Sequence, residues 1–518
     1  MEHISNKKNY LYTLSSNVAK IVITSVIGLI SIPMSLSYWQ TDRYSIWLLI
    51  NSVLVFLSVS NLGLNAAASI LINKNSRDHE KITILKRAMF LAFLSVGLML
   101  AILVGINYIY GGWVGLLGNI PNSLVDETKR TCIVVILFFL FNVPFSLITS
   151  AISGFYRQYV VNIFAIIGNI VSFIVLLYII SSHGNLVQFA FLTGLFSVVI
   201  NIFQLLYFLF RIYLKADRTD REYGEDSAYR KIFITGIRCV IGSIAALVVS
   251  NTDNFVISHF LGVEHVAPYA LTFKLFIIAY NFIYIFNSSI IPLIGKSIAK
   301  GDMEYSKFLY KRTFYLISWI GGGMWIGGVA LFKLFIINYL GKDAFAGPMV
   351  LFFLGGYSYL FSIVNLENVM INTFNYIKGI VWIVWLEAII NITASIILLR
   401  YFGIGGVAMG TFIGTLLSPL ILFPILLKKR SRGLISMDYK FILNQIVFVL
   451  VPLLTIAMLI QLNLTGIYIN ILSSFVVLVL YTFATYRILP SEIRIDIRLN
   501  WVHSSVHRKI TKIFGKSN

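Results

Sequence analysis

Charge is what this sequence has least of. Asp, Glu, Lys and Arg make up 12% of its 518 residues, about half of what a soluble protein needs to cover its surface. With 58% hydrophobic residues and a mean hydropathy of +0.85, the scarcity excludes a water-soluble globular protein. Cysteine is nearly absent. Cys132 and Cys239 lie far apart inside apolar runs, so neither a disulfide framework nor a cysteine-based metal site is built from them. The seven histidines are scattered and none forms HExxH, and no GxxxxGK[ST] loop is present to cradle ATP. No enzyme constellation appears, and no cofactor or metal is called for. The N-terminus lacks the short apolar core and small-residue cleavage site of a signal peptide, so the first apolar stretch is expected to stay in the membrane.

What the chain does have is long apolar runs. Runs of roughly 20 apolar residues recur throughout, the length that crosses a bilayer as helix. The alternation of a membrane barrel is not there. The fold class is therefore an all-α polytopic membrane protein. We place fourteen spans, at roughly 17–38, 45–71, 88–110, 131–153, 158–180, 186–210, 232–261, 266–298, 313–339, 347–374, 378–400, 402–427, 441–461 and 467–487. The formal charge of +20 would suit nucleic acid, but its distribution excludes that partner. Most of the Lys and Arg fall in bends on the side that holds the N-terminus. The opposite bends hold only Arg43, Lys129, Arg130, Lys342 and Arg400. This positive-inside asymmetry puts both termini in the cytoplasm, and the basic excess also attracts anionic lipid headgroups.

The chain is organised around the stretch Thr252–Phe276, in which one apolar helix ends, turns through the polar bend Gly262–Ala267, and another begins. Ser37–Ile50 is a fainter version, with Asp42 and Tyr44 in the places of Glu264 and Tyr269. Two such hairpins, each opening a set of six spans of nearly equal length, predict an internal parallel repeat. The expected organisation is an N-lobe at 1–210, a charged cytoplasmic linker at 211–231, a C-lobe at 232–428, an extra helix pair at 429–488 on the lipid side, and a basic cytoplasmic tail at 489–518. That tail carries Val502, Val506, Ile510 and Ile513 at helical spacing and either lies on the inner leaflet or is simply solvated.

Polar residues inside spans need protein or water beside them, because lipid offers no partner. Span 1 carries Asn17, Lys20, Thr24, Gly28, Ser31 and Ser35 along one face, a pattern that close helix packing also explains. Span 8 carries Lys274, Asn281, Tyr284 and Ser288; span 10 carries Ser358, Ser362, Asn365, Asn368 and Asn372; span 11 carries Glu387, Asn391 and Ser395. A Lys or Arg at a helix centre costs about 2.5–3.5 kcal/mol on insertion scales. Lys20 and Arg238 lie near the inner ends of spans 1 and 7. They either snorkel or stand as a pair of cations at the cytoplasmic mouth of a cavity. Lys274 is about 12 Å into its span at the helical rise and is expected to line a cavity with Asn281 and Tyr284. Lys333 reads as a snorkelling residue. Glu387, nearest a span centre with Asn391 one turn on, is either a structural acid or an ion-coupling one. Asp253 is expected to cap or pair within span 7, with coupling as its other role, and Glu367 to be structural.

Several stretches together resemble the multidrug/oligosaccharidyl-lipid/polysaccharide exporter superfamily, in its polysaccharide-transport branch of Wzx-type O-antigen repeat-unit flippases. They are RYSIWLLI and SNLGLNAA in the first half, and TDNFVISHFLGVEHVAPYALTFKL, IIPLIGKSIAKGD and IINITASIILLRYFGIGGVAMGTFIGTL in the second. Tyr44-Ser45-Ile46-Trp47 departs from the family's aromatic-Gly pattern, and Asn61 replaces its usual acid. The resemblance implies two six-helix lobes in a V around a central cavity, opening alternately to each side of a bacterial inner membrane. It implies an undecaprenyl-pyrophosphate-linked oligosaccharide as substrate, moved from the inner to the outer leaflet for O-antigen and lipopolysaccharide biosynthesis. H+ or Na+ are the candidate coupling ions, and the system's polymerase and chain-length proteins are the candidate partners. Two further readings share the fold: an ion-coupled exporter of cationic drugs, which the basic residues in spans disfavour, and a lipid-linked peptidoglycan-precursor flippase. A membrane polymerase or ligase would need a sizeable outer domain, whereas the longest outer loop here is about twenty residues, Gly111 to Arg130. A scaffold role suits the polar stripes less well than a water-filled path does.

Overall fold

In a computed structural model the chain is described over residues 2–74, 78–110, 117–215, 225–374, 376–461, 467–491 and 493–494. Part of the linker, the amphipathic tail and the side chain of Ser288 lie outside the described residues. The described residues hold helices and turns and no strand. In chain order the helices are α1 (Glu2–Leu57), α2 (Leu64–Lys74), α3 (Asp78–Tyr110), α4 (Val125–Gly154), α5 (Gln158–Ser181), α6 (Leu186–Arg211), α7 (Glu225–Phe260) and α8 (Val266–Ala299). They continue with α9 (Met303–Phe335), α10 (Pro348–Thr373), α11 (Ile377–Phe402), α12 (Ile404–Leu417), α13 (Pro419–Arg430), α14 (Tyr439–Gln461) and α15 (Ile467–Ile488). Eleven described helical stretches are long and apolar enough to cross a membrane, and three shorter apolar ones accompany them. The first, Ser15–Leu57, holds both the first expected span and most of the second. The protein is a multi-pass membrane protein.

Three details differ from the sequence expectation. The first hairpin bend is a single residue: two helical segments of α1 meet at Gln40 (φ 61°, ψ 176°), which leaves the helical region. Span 2 is broken at Ser58–Gly63, where Leu62 and Gly63 take positive φ. The cause is tertiary. Gly63 lies against the backbone of Gly236 in α7 so closely that a Cβ there would overlap the Gly236 carbonyl. Span 12 is divided at Ser418 into α12 and α13. Pro419 cannot continue the backbone ladder, and the Ser418 hydroxyl donates to the Ile383 carbonyl of α11 at 2.8 Å.

The chain forms two compact units. Unit 1 comprises Met1–Ile278, Ile336–Val350 and Lys378–Ser418. In it, Leu64, Ala67, Ala68 and Ile72 of α2 pack with Ile84, Leu85 and Ala88 of α3 and with Leu147, Ile148 and Ala151 of α4. Small residues at these contacts let helices approach where no hydrophobic driving force exists in lipid. Polar pairs complete the packing. Asn201 donates to Asn142 at 2.6 Å and Thr149 to Gln204 at 2.6 Å between α4 and α6. Asn162 donates to Ser16 and Asn17, and Asn169 to Thr24, between α5 and α1. Asn17 and Thr24 of the span 1 stripe thus meet α5. The two hairpins also meet: the backbone N–H of Ala267 donates to Ser45 Oγ at 3.0 Å, and Asn254 donates to Ser52 at 3.0 Å. Both hairpin tyrosines, Tyr44 and Tyr269, are buried.

Unit 2 comprises Ala279–Phe335, Leu351–Ile377 and Pro419–Asn518. Here α14 and α15 pack on α9. The Tyr481 hydroxyl lies 3.0 Å from the Trp319 carbonyl and 2.7 Å from Gln445 Oε1, and Tyr315 donates to Asp438 at 2.9 Å. These bonds tie the extra pair to α9 through polar groups.

Candidate functional site

Two polar places in unit 1 hold four of the residues the sequence nominates as site residues, Lys274, Asp253, Glu387 and Asn391. The first is a cavity of about 340 Å³. Its α1 wall carries Thr24, Gly28, Ser31, Ser35, Trp39, Tyr44, Trp47 and Asn51; α5 adds Asn169, Ser172 and Phe173, and α6 adds Phe189. Lys274 reaches into it from α8, and its side chain runs past Gly28, where a Cβ would stand 3.6 Å from Lys274 Cε. Lys274 has no ion pair or hydrogen bond to a described residue, and no Asp or Glu lines the cavity. Trp39 is 3% exposed, yet its indole Nε1 has no protein partner. Trp39 and Trp47 both meet the ring of Phe189 edge-on, at 5.0 Å between centroids.

The second place is where α7, α11 and α12 meet. Glycines 406, 410 and 414 repeat every four residues down one side of α12. A Cβ at Gly406 would overlap the Leu398 carbonyl and one at Gly410 the Ser395 side chain, while one at Gly414 would stand 3.0 Å from Asn391 Cβ. The neighbouring face of α12 carries Thr411 and Thr415, one turn apart. Thr411 donates to Asp253 Oδ2 at 2.8 Å and lies 3.2 Å from the Val407 carbonyl. Thr415 donates to Glu387 Oε1 at 2.6 Å, and Ser395 donates to the Val407 carbonyl at 3.3 Å. The Tyr269 hydroxyl also donates to Asp253 Oδ2. Asp253 Oδ1 and both polar atoms of the Asn391 side chain are buried with no protein partner. Asp253 therefore bonds to α8 and α12 and not within its own span.

The other nominated residues stay apart from these two places. Lys20 is half-buried and Arg238 exposed; neither lines the cavity and neither has an ion pair among the described residues. Asn281 and Tyr284 belong to unit 2, where the Tyr284 ring lies 6.3 Å from Tyr280 and Tyr280 lies 5.0 Å from Phe361. Glu367, also in unit 2, is buried and accepts a hydrogen bond from Tyr310. Among the described residues no three His, Cys, Asp or Glu side chains gather as a metal centre. Sequence reasoning missed Trp39 and Phe189 in the cavity and Thr411 and Thr415 beside the acids, and it named Tyr44 and Tyr269 only as the matching tyrosines of the two hairpins. For the threonines the signal was available in the glycine repeat of α12.

Residues 8–298 match the family model described as polysaccharide biosynthesis protein. Among solved structures, the chain is similar to the lipid II flippase MurJ in an inward closed conformation, with a TM-score of 0.63 and 15% identity over 91% of this chain and 98% of that one. It is similar to a multidrug resistance MATE family transporter of the MOP superfamily in an inward-facing conformation, with a TM-score of 0.63 and 14% identity over 81% of this chain and 98% of that one. A third is a MOP superfamily transporter from Pyrococcus furiosus, with a TM-score of 0.56 and 15% identity over 80% of this chain and 96% of that one. No curated protein matches the sequence. At these identities the likeness establishes the fold.

Proposed function

This chain belongs to the polysaccharide biosynthesis protein family of the multidrug/oligosaccharidyl-lipid/polysaccharide exporter superfamily, and on that premise we propose that it is a lipid-linked oligosaccharide flippase. It moves undecaprenyl-pyrophosphate-linked repeat units for O-antigen or a similar surface polysaccharide from the inner to the outer leaflet of a bacterial inner membrane. Both termini face the cytoplasm, and the halves 1–210 and 232–428 move as the parallel partners of an alternating-access cycle. The observation that carries this reading is the cavity of unit 1, with one lysine, aromatic rings and amide and hydroxyl side chains inside an apolar, membrane-spanning chain. A lysine kept in such a place, at the cost a bilayer imposes, needs an anionic guest.

The coupling ion binds at the α7–α11–α12 cluster. Asp253, Thr411, Ser395, the Val407 carbonyl and the Asn391 amide oxygen are hard oxygen donors of the kind small cations take. A single carboxylate at that point suits a monovalent ion, which we take to be Na+, with Glu387 one turn along on Thr415.

The test is deletion and complementation in the bacterium that encodes the chain. Loss should remove surface polysaccharide and leave lipid-linked repeat units accumulating on the cytoplasmic side, and the wild-type gene should restore both. Intact surface polysaccharide in the deletion strain would refute the reading.

A further inference from the structure

We infer that the unit 1 cavity is a subsite for one acidic sugar, a pyranose carrying a single carboxylate, and that Lys274 reads that carboxylate. The inference rests on the transport reading above and narrows it, because Lys274 would otherwise be assigned to the pyrophosphate of the carrier. Charge decides between the two. A pyrophosphate brings more than one negative charge, and the cavity holds one cation with no second lysine or arginine in its lining. Lys20 and Arg238, the other intramembrane cations of the first and seventh spans, lie elsewhere. Burying unmatched charge is costly, whereas one ammonium and one carboxylate balance.

The rest of the lining is what a sugar ring asks for. Aromatic faces are electron-rich and attract the polarised C–H groups of a pyranose, and Trp39, Tyr44, Trp47 and Phe189 supply rings here. Sugar hydroxyls both donate and accept, which matches the amides of Asn51 and Asn169. The indole N–H of Trp39 is buried with no protein partner, so only a shift of the ring would bring it to a guest. At about 340 Å³ the cavity stands at the lower end of small-molecule sites, about 300–1,000 Å³. It takes one monosaccharide and not a whole repeat unit.

The experiment measures binding to the purified full-length protein in detergent by ligand-observed NMR, with D-glucuronate, D-glucose and inorganic pyrophosphate as probes. Glucuronate should bind about tenfold more tightly than glucose, and pyrophosphate should not displace it. Lys274→Met should abolish the preference and leave the weak glucose binding, while Lys274→Arg should keep part of it. Trp39→Phe should weaken both sugars and preserve their ratio. A melting curve on each variant establishes that it is folded. The inference is overturned if pyrophosphate displaces glucuronate at equal or lower concentration, if the two sugars bind equally, if folded Lys274→Met retains the preference, or if the wild type binds no sugar. Transport is judged separately. An intact surface polysaccharide in the deletion strain, with the sugar preference present, would remove the flippase reading and leave the subsite standing.

Discussion

The cavity on α1 and the cluster on α12 lie in the same unit and are opposite in nearly every chemical respect. The cavity has one cation, no acid and a wall of rings. The cluster has two carboxyl side chains, a series of hydroxyls and no lysine or arginine among its hydrogen-bond partners. The cavity is bounded by side chains of ordinary size spread over four helices, whereas the cluster depends on glycines that bring α12 onto the backbone of α11. The contrast teaches how a membrane protein keeps two charges of opposite sign from neutralising each other. Lys274 stands on the cavity wall without a hydrogen-bond partner among the described residues, whereas Asp253 and Glu387 are bonded to hydroxyls at the cluster.

The contrast can be attacked first at the glycines. Gly406→Leu drives a side chain into the Leu398 backbone, well beyond the about 1–3 kcal/mol of ordinary overpacking. Purified yield and a monodisperse gel-filtration peak should be lost, whereas Gly97→Leu, with nothing near its Cβ position, should leave both intact. Next in size is the lysine. Lys274→Ala should abolish complementation at normal protein levels, with Lys274→Arg retaining part. If Lys274→Met and Lys274→Arg both work nearly as well as wild type, the cavity lysine is packing and the comparison collapses. Glu387→Gln should have a smaller effect, lowering the rate driven by an imposed ion gradient in reconstituted vesicles. An unchanged rate and gradient dependence would make Glu387 structural and confine the cluster to Asp253. Smallest of all is Glu367→Gln. It keeps an acceptor for Tyr310 and should leave transport near normal, with a melting temperature lower by about 2–4 °C at most. Abolished transport in this variant would place a third acid on the working path.

The fold class was legible because composition alone decides it: a chain with this little charge and this many long apolar runs has only helices with which to satisfy its backbone in lipid. The breaks were not legible. Gly63 leaves the helix against the backbone of Gly236, far away in sequence, and Ser418 bonds the distant Ile383 carbonyl beside the local break at Pro419. Within the sites, Lys274 and the Thr24–Ser35 stripe could be found by helical spacing, since a polar residue stands out against an apolar background. Trp39 and Phe189 could not, being apolar residues in an apolar chain. Glu387 and Asn391 were visible for the same reason as Lys274. The partners of Asp253 were hidden: threonines in a membrane helix commonly bond their own preceding turn, as Thr411 does with Val407. Only the four-residue glycine repeat pointed to the face of α12 that carries them.

The separateness of the two sites is tested most directly by thermal unfolding of the purified full-length protein in Na+ and in choline at equal ionic strength. A bound ion raises the unfolding temperature by mass action. The account predicts that Na+ raises it in the wild type and equally in Lys274→Met, and that Asp253→Asn loses the rise. No Na+ response in the wild type, a full response in Asp253→Asn, or a lost response in Lys274→Met would contradict it.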